Sequence, residues 1–171
     1  ILYNKTEVFC SAEHRFGSDA LLLARFAPPK RAQKAADLCS GCGIVSLEWH
    51  DGGHRGPCAA VELQPAASAL LTQALAQQGI DHITPYCADL RRFRQGEGSF
   101  DLCSCNPPYF TAGLHSTNPA RATARHETDC TLEDVCRCAF RLLKDGGRLA
   151  LCHRPERLAE VLAVLRASRL E

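Results

Sequence analysis

The richest chemistry in this chain lies in Asn106-Pro107-Pro108-Tyr109. An asparagine amide offers a donor and an acceptor at once, so it can pair with a planar amide or amino group. A tyrosine ring offers a face on which a flat group can stack. The two prolines between them have no N–H for a sheet ladder and stiffen the turn they occupy. A second cluster is Asp37-Leu38-Cys39-Ser40-Gly41-Cys42-Gly43, a carboxylate followed by a G-x-G turn. Glycines there let the backbone take angles closed to other residues and let a ligand approach the main chain. The third Gly of a dinucleotide fingerprint is missing, because Ser46 stands in its place. Further carboxylates, Glu62 and Asp89, each close an apolar run.

These residues need elements to hold them, and the pattern supplies strands alternating with helices. Short apolar runs predict strands at Ala35 to Cys39, Cys58 to Leu63, Ile83 to Cys87, Phe100 to Cys105 and Arg148 to His153. A helix is expected from about Ile44 to Trp49. Another opens on Pro65, a natural first helical residue, and is ended by Gly79. Ser18 is read as the N-cap of a helix that must stop before Pro28-Pro29. Residues 1–16 read as a short hairpin or irregular arm. Thr131-x-x-Asp134 reads as a variant capping box opening a helix to Leu143. Asp145-Gly146-Gly147 reads as the turn into the last strand, and Pro155 as the start of a final amphipathic helix. Such alternation implies a mostly parallel sheet with right-handed crossovers and helices on both faces, an α/β Rossmann-like fold. Ligands then bind at the C-terminal ends of the strands, where each of the clusters above falls.

At 171 residues the chain has the length of one domain. Its net charge of +1 makes the whole molecule no electrostatic nucleic-acid binder. The balance is uneven: residues 1–90 hold 7 Lys/Arg against 9 Asp/Glu, and residues 91–171 hold 13 against 10. That tilt fits an anionic partner on the later half. Eleven cysteines, an odd number scattered through apolar runs, do not form a disulfide framework. Cys39 and Cys42 have zinc or redox spacing, yet no second C-x-x-C accompanies them, and no metal is expected. A reducing cytoplasm is the simplest setting. No apolar run approaches the ~20 residues of a membrane span.

Together these motifs resemble class I methyltransferases that use S-adenosylmethionine to methylate a planar nitrogen, and N-P-P-Y resembles their catalytic turn. Phe16 to Ala24 and Ala124-Arg125-His126-Glu127 are similar to the adenine-RNA branch, most of all the bacterial tRNA1(Val) (adenine-37-N6)-methyltransferase family. The resemblance implies a sheet of order 3-2-1-4-5-7-6, whose strands 6 and 7 have no counterpart here, so a C-terminally incomplete chain is expected. It divides the chain into an arm and helix at 1–34 that cover the cofactor, and a catalytic domain at 35–171. It implies a catalytic group of Asn106, Pro107, Pro108 and Tyr109. The cofactor would be held by Asp19, Asp37, Cys39, Gly41, Gly43, Glu62, Leu63, Asp89, Leu90 and Asn106. Glu62, about twenty residues past the Gly turn, has the spacing of a ribose-binding acid. Asp89 would bind the adenine amino group of the cofactor. The long stretch Thr111 to Cys130 is the expected substrate lid, with Phe110, Arg121, Arg125 and His126 as substrate contacts. The implied partner is tRNA, with an anticodon-loop adenine as target; the sequence leaves the oligomeric state open, with a monomer favoured over an oligomer. Glutamine N5-methylation of release factors, DNA adenine methylation, and an RNA-binding protein that keeps the fold without catalysis are the alternatives.

Overall fold

Five strands form the central sheet of the described residues. β1 (Ala35–Leu38), β2 (Cys58–Glu62) and β4 (Phe100–Cys105) are buried almost throughout. β3 (Ile83–Cys87) and β5 (Leu143–Leu151) flank them and are partly exposed. All pair in parallel, in the order β3-β2-β1-β4-β5. The computed structural model describes residues 1–107 and 130–170. The order equals the first five positions of the sheet that the resemblance implied, with β5 at one edge.

Alternation of side chains along β1 sorts the core into two layers. Ala35 faces one layer with Cys58, Ala60 and Leu102, under α1 (Ser18–Phe26), α2 (Ile44–Asp51) and α3 (Pro65–Gln78). Ala36 and Leu38 face the other with Val61, Cys103 and Cys105, under α4 (Leu132–Leu142). A single 3-10 turn (Pro155–Arg157) leads into α5 (Leu158–Ala167), which packs on α4 through Val161 and Val164 against Leu132 and Cys136. Fully buried side chains such as Leu38, Leu102 and Leu142 contribute about 1.5–3 kcal/mol each.

Local signals hold in several places. Pro65 opens α3, and Gly79 ends it in the left-handed region at φ 63°. Thr131 and Asp134 form a reciprocal capping box, each side chain accepting the other's backbone N–H at 3.2 Å. Other boundaries move. Ser18 is already the first helical residue, and Gly17 is the N-cap, with no side-chain cap bond. β1 stops at Leu38 because Cys39 turns to φ 56°. β2 stops at Glu62 and α4 at Leu142, while α2 runs on to Asp51. The expected turn at Asp145-Gly146-Gly147 is a bulge inside β5: Phe100 pairs with Leu143, but Leu102 already pairs with Arg148. Gly146 at φ 73° allows that detour. β5 then ends at Leu151 rather than His153.

Residues 1–16 contain no strand and run as an irregular arm. The Asp51 carboxylate pins it by accepting the N–H groups of Asn4 (2.8 Å) and Thr6 (3.0 Å). Gln78 adds a reciprocal pair with the backbone of Glu7. α1 is fixed on α2 by the Trp49 indole N–H, which donates to the Ala24 carbonyl, and by the Arg25–Glu48 ion pair.

Candidate active site

The parallel register brings the motifs level. Leu38 pairs with Val61 on one side and with Cys105 on the other, so Cys39, Glu62 and Asn106 emerge side by side at the sheet's C-terminal edge. Glu62 in turn pairs with Cys87, two residues before Asp89.

After β1 the chain makes a tight turn in which the Gly43 N–H donates to the Ser40 carbonyl. Gly41 sits at φ 55° with open space where a Cβ would be, so the main chain is approachable there. Gly43, at φ 81°, serves a different need: a Cβ there would collide with the Leu71 side chain, so this glycine lets α2 start against α3. α2 has no capping side chain of its own. Asp37 supplies one from the strand, accepting the Ser46 N–H at 3.1 Å. Asp37 is only 1% exposed, and burial raises its carboxyl to about 7, against the opposing hydrogen bond from Ser46.

Glu62 is buried as well, and its two oxygens are divided. One accepts the Gly41 N–H and the other the Gln64 N–H, both at 2.8 Å. It thus ties the glycine turn to the start of α3. A carboxylate has about four lone-pair sites, so two bonds leave capacity for a ligand's hydroxyls. Asp89 is held by Arg91, whose Nε lies 2.9 Å from both carboxylate oxygens. That guanidinium holds the Asp89 carboxyl below its ordinary value.

A cavity of about 630 Å³ opens between these groups, with Cys39, Gly41, Glu62, Leu63, Asp89, Leu90 and Asn106 in its wall. A smaller hollow of about 270 Å³ adjoins it, lined by Asp19, Asp37, Cys39, Gly41, Asn106 and Pro107. Between the two stands Asn106, whose Nδ2 donates to Asp19 Oδ2 at 2.9 Å. The thiols around the turn are held protonated. Cys39 lies among Cys105 and Cys130 and is raised well above its ordinary value, first by the Cys105 hydrogen bond. Cys42 instead neighbours Cys10 and is pushed up to about 12, mainly by burial. The two cysteines of the C-x-x-C spacing therefore have different partners.

The site accordingly gathers Asp19, Asp37, Cys39, Gly41, Glu62, Leu63, Asp89, Leu90, Asn106 and Pro107. Gly43 lines neither hollow. Pro108, Tyr109, Phe110, Arg121, Arg125 and His126 lie outside the described residues. Sequence reasoning missed Glu13, His14 and Arg15, arm residues in the cavity wall, and the pairing of exposed Arg91 with Asp89 beside the cavity. The proximity of Arg15 to Phe16-Gly17-Ser18-Asp19 was the available signal for the arm.

Known proteins with similar sequences and folds agree with this architecture. The chain is 33% identical to the tRNA1(Val) (adenine(37)-N6)-methyltransferase of Dickeya chrysanthemi, over 80% of this chain and 55% of that protein. It is 31% identical to the protein of the same name from Aeromonas hydrophila, over 88% of this chain and 64% of that one. The chain thus spans a little over half the length of these curated relatives. Among solved structures, a precorrin-6y C5,15-methyltransferase from Geobacter metallireducens aligns with a TM-score of 0.68 at 14% identity, covering 97% of this chain and 79% of that one. A SAM-dependent O-methyltransferase from Thermotoga maritima aligns with a TM-score of 0.64 at 17% identity, covering 90% and 50%. At such identities the likeness speaks for the fold, that of a class I methyltransferase. The family model for the methyltransferase small domain matches residues 1–165, and the chain belongs to that family.

Proposed function

We propose that this chain uses S-adenosylmethionine to methylate the N6 amino group of an adenine in tRNA, in the anticodon-loop region. The observation that carries the reading is Asn106. It stands at the C-terminal end of β4 with its amide fixed, between a cavity walled by Glu62 and Asp89 and a hollow walled by Asp37. The names of the two relatives support the choice of adenine and tRNA.

The residues present suit that cofactor. Asp37 is a buried carboxylate at the end that would receive the cationic amino-acid portion, and a cation there offsets the burial that raises its pKa. Gly41 presents bare main chain. Glu62 would take the ribose hydroxyls on the lone pairs left by its two backbone bonds. Asp89 would take the adenine amino group while sharing its carboxylate with Arg91.

When bound, S-adenosylmethionine supplies a methyl already activated on a sulfonium. The chain's task is to place a nitrogen in line with it, and such positioning can supply on the order of 7–11 kcal/mol. The Asn106 carbonyl oxygen and the Pro107 carbonyl accept the two hydrogens of the target amine. They aim its lone pair at the methyl and stabilise the charge developing on nitrogen. By the family resemblance, Tyr109, outside the described residues, would stack on the base. A base drawn from RNA must leave its own stack, which costs a few kcal/mol and least in a single-stranded loop. A tRNA substrate suits a reaction in the cytoplasm.

The test offers methyl-labelled S-adenosylmethionine with bulk tRNA and a peptide-chain release factor side by side. Label in tRNA is expected. Label in the release factor would keep the site but move the target to a glutamine amide.

A further inference from the structure

We infer that Asp19 is a positioning residue for methyl transfer: it fixes which way round the Asn106 amide faces, rather than holding the cofactor. The inference rests on the methylation reading above for its consequence, though not for its geometry. Asp19 Oδ2 lies 2.9 Å from the side-chain nitrogen of Asn106, across 87 residues of sequence. A carboxylate only accepts hydrogen bonds, so the amide atom facing it must be the NH2 group. The carbonyl of the same amide is thereby turned the other way. That is the orientation an acceptor for an amino group requires. With the amide reversed, Asn106 would present donors to a donor.

The anchor is rigid where it needs to be. Asp19 lies in the first turn of α1, next to buried Ala20, and α1 is fastened to α2 by the Trp49–Ala24 hydrogen bond and the Arg25–Glu48 pair. Gly17 makes room for it. A Cβ at that position would collide with Oδ1 of Asp19, although the Gly17 backbone, at φ −97°, is one that any residue adopts. The missing side chain at Gly17 therefore serves the carboxylate, and Gly17→Ala would displace it without straining the chain.

The experiment compares the wild-type chain with Asp19→Ala, Asp19→Asn and Gly17→Ala. Cofactor affinity is read by calorimetry, and transfer to tRNA at saturating cofactor by label. Expected for Asp19→Ala is a cofactor Kd within about twofold of wild type and a turnover reduced on the order of 10–100-fold, the usual cost of misplacing a reacting group. Asp19→Asn should fall between the two, because its amide can accept from Asn106 in only one of its own two orientations. Gly17→Ala should lower turnover like Asp19→Ala with an unchanged unfolding midpoint. The Asn106 side-chain NH2 resonances, assigned by their loss in Asn106→Ala, should shift in Asp19→Ala. A tenfold weaker cofactor affinity with unchanged saturating turnover would overturn the inference and make Asp19 a cofactor ligand. Unmoved Asn106 resonances would overturn it too. If the wild-type chain labels no tRNA, the methylation reading fails, and the resonances alone decide the Asp19–Asn106 contact.

Discussion

Replacing Asp37 by Asn should flatten one part of the protein's stability profile with pH. Burial raises the Asp37 carboxyl from its ordinary 3.8 to about 7 in the folded chain. Between those two values the native state holds a proton that the unfolded chain has released. Stability must therefore fall as pH rises through that window and level off above about pH 7. At about 1.36 kcal/mol per pH unit, the fall approaches roughly 4 kcal/mol, a large share of a domain's net stability. Three histidines act in the opposite sense. Burial lowers His50 to about 4 and also lowers His54 and His82, so they gain stability as pH rises toward neutrality. Urea unfolding of wild type and Asp37→Asn, from about pH 4.5 to about pH 7.5, cancels the histidines in the difference. The wild-type advantage should shrink as pH rises to about 7 and then level off. Profiles that stay parallel would show that burial does not raise the Asp37 carboxyl.

Two further outcomes test the frame around the site. Glu62→Ala removes the acceptor of the Gly41 and Gln64 N–H groups and the proposed ribose contact, so cofactor affinity measured by calorimetry should weaken at least tenfold; an unchanged Kd would take the ribose role from it. Thr131→Ala breaks the capping box that starts α4 and should lower unfolding stability by about 1 kcal/mol, whereas an unmoved urea midpoint would show the box to be idle.

What could be read ahead of the structure was local. Short apolar runs marked β1, β2 and β4, because the centre of a parallel sheet covered on both faces needs nearly continuous hydrophobic segments. Pro65, Gly79 and the Thr131–Asp134 box mark helix ends through bonds that reach three or four residues. Where the reading missed, a distant partner decided. Asp19 bonds Asn106, 87 positions away, and its carboxylate lies where a Gly17 side chain would stand. Gly43 belongs to a glycine motif, yet its conformation answers to Leu71 in another helix. Asp89 was legible as a strand-end acid, but its capture by Arg91 depends on side-chain direction. The β5 bulge follows from the register with β4, which no composition of Asp145-Gly146-Gly147 encodes.

The proposed reaction is transfer of a methyl to adenine N6 in tRNA. The most direct measurement is nuclease digestion of tRNA labelled by the wild-type chain, with Asn106→Ala in parallel. Label in N6-methyladenosine is expected from wild type and none from the variant, with cofactor binding retained in both. Label in another nucleoside, or equal labelling by the variant, would contradict it.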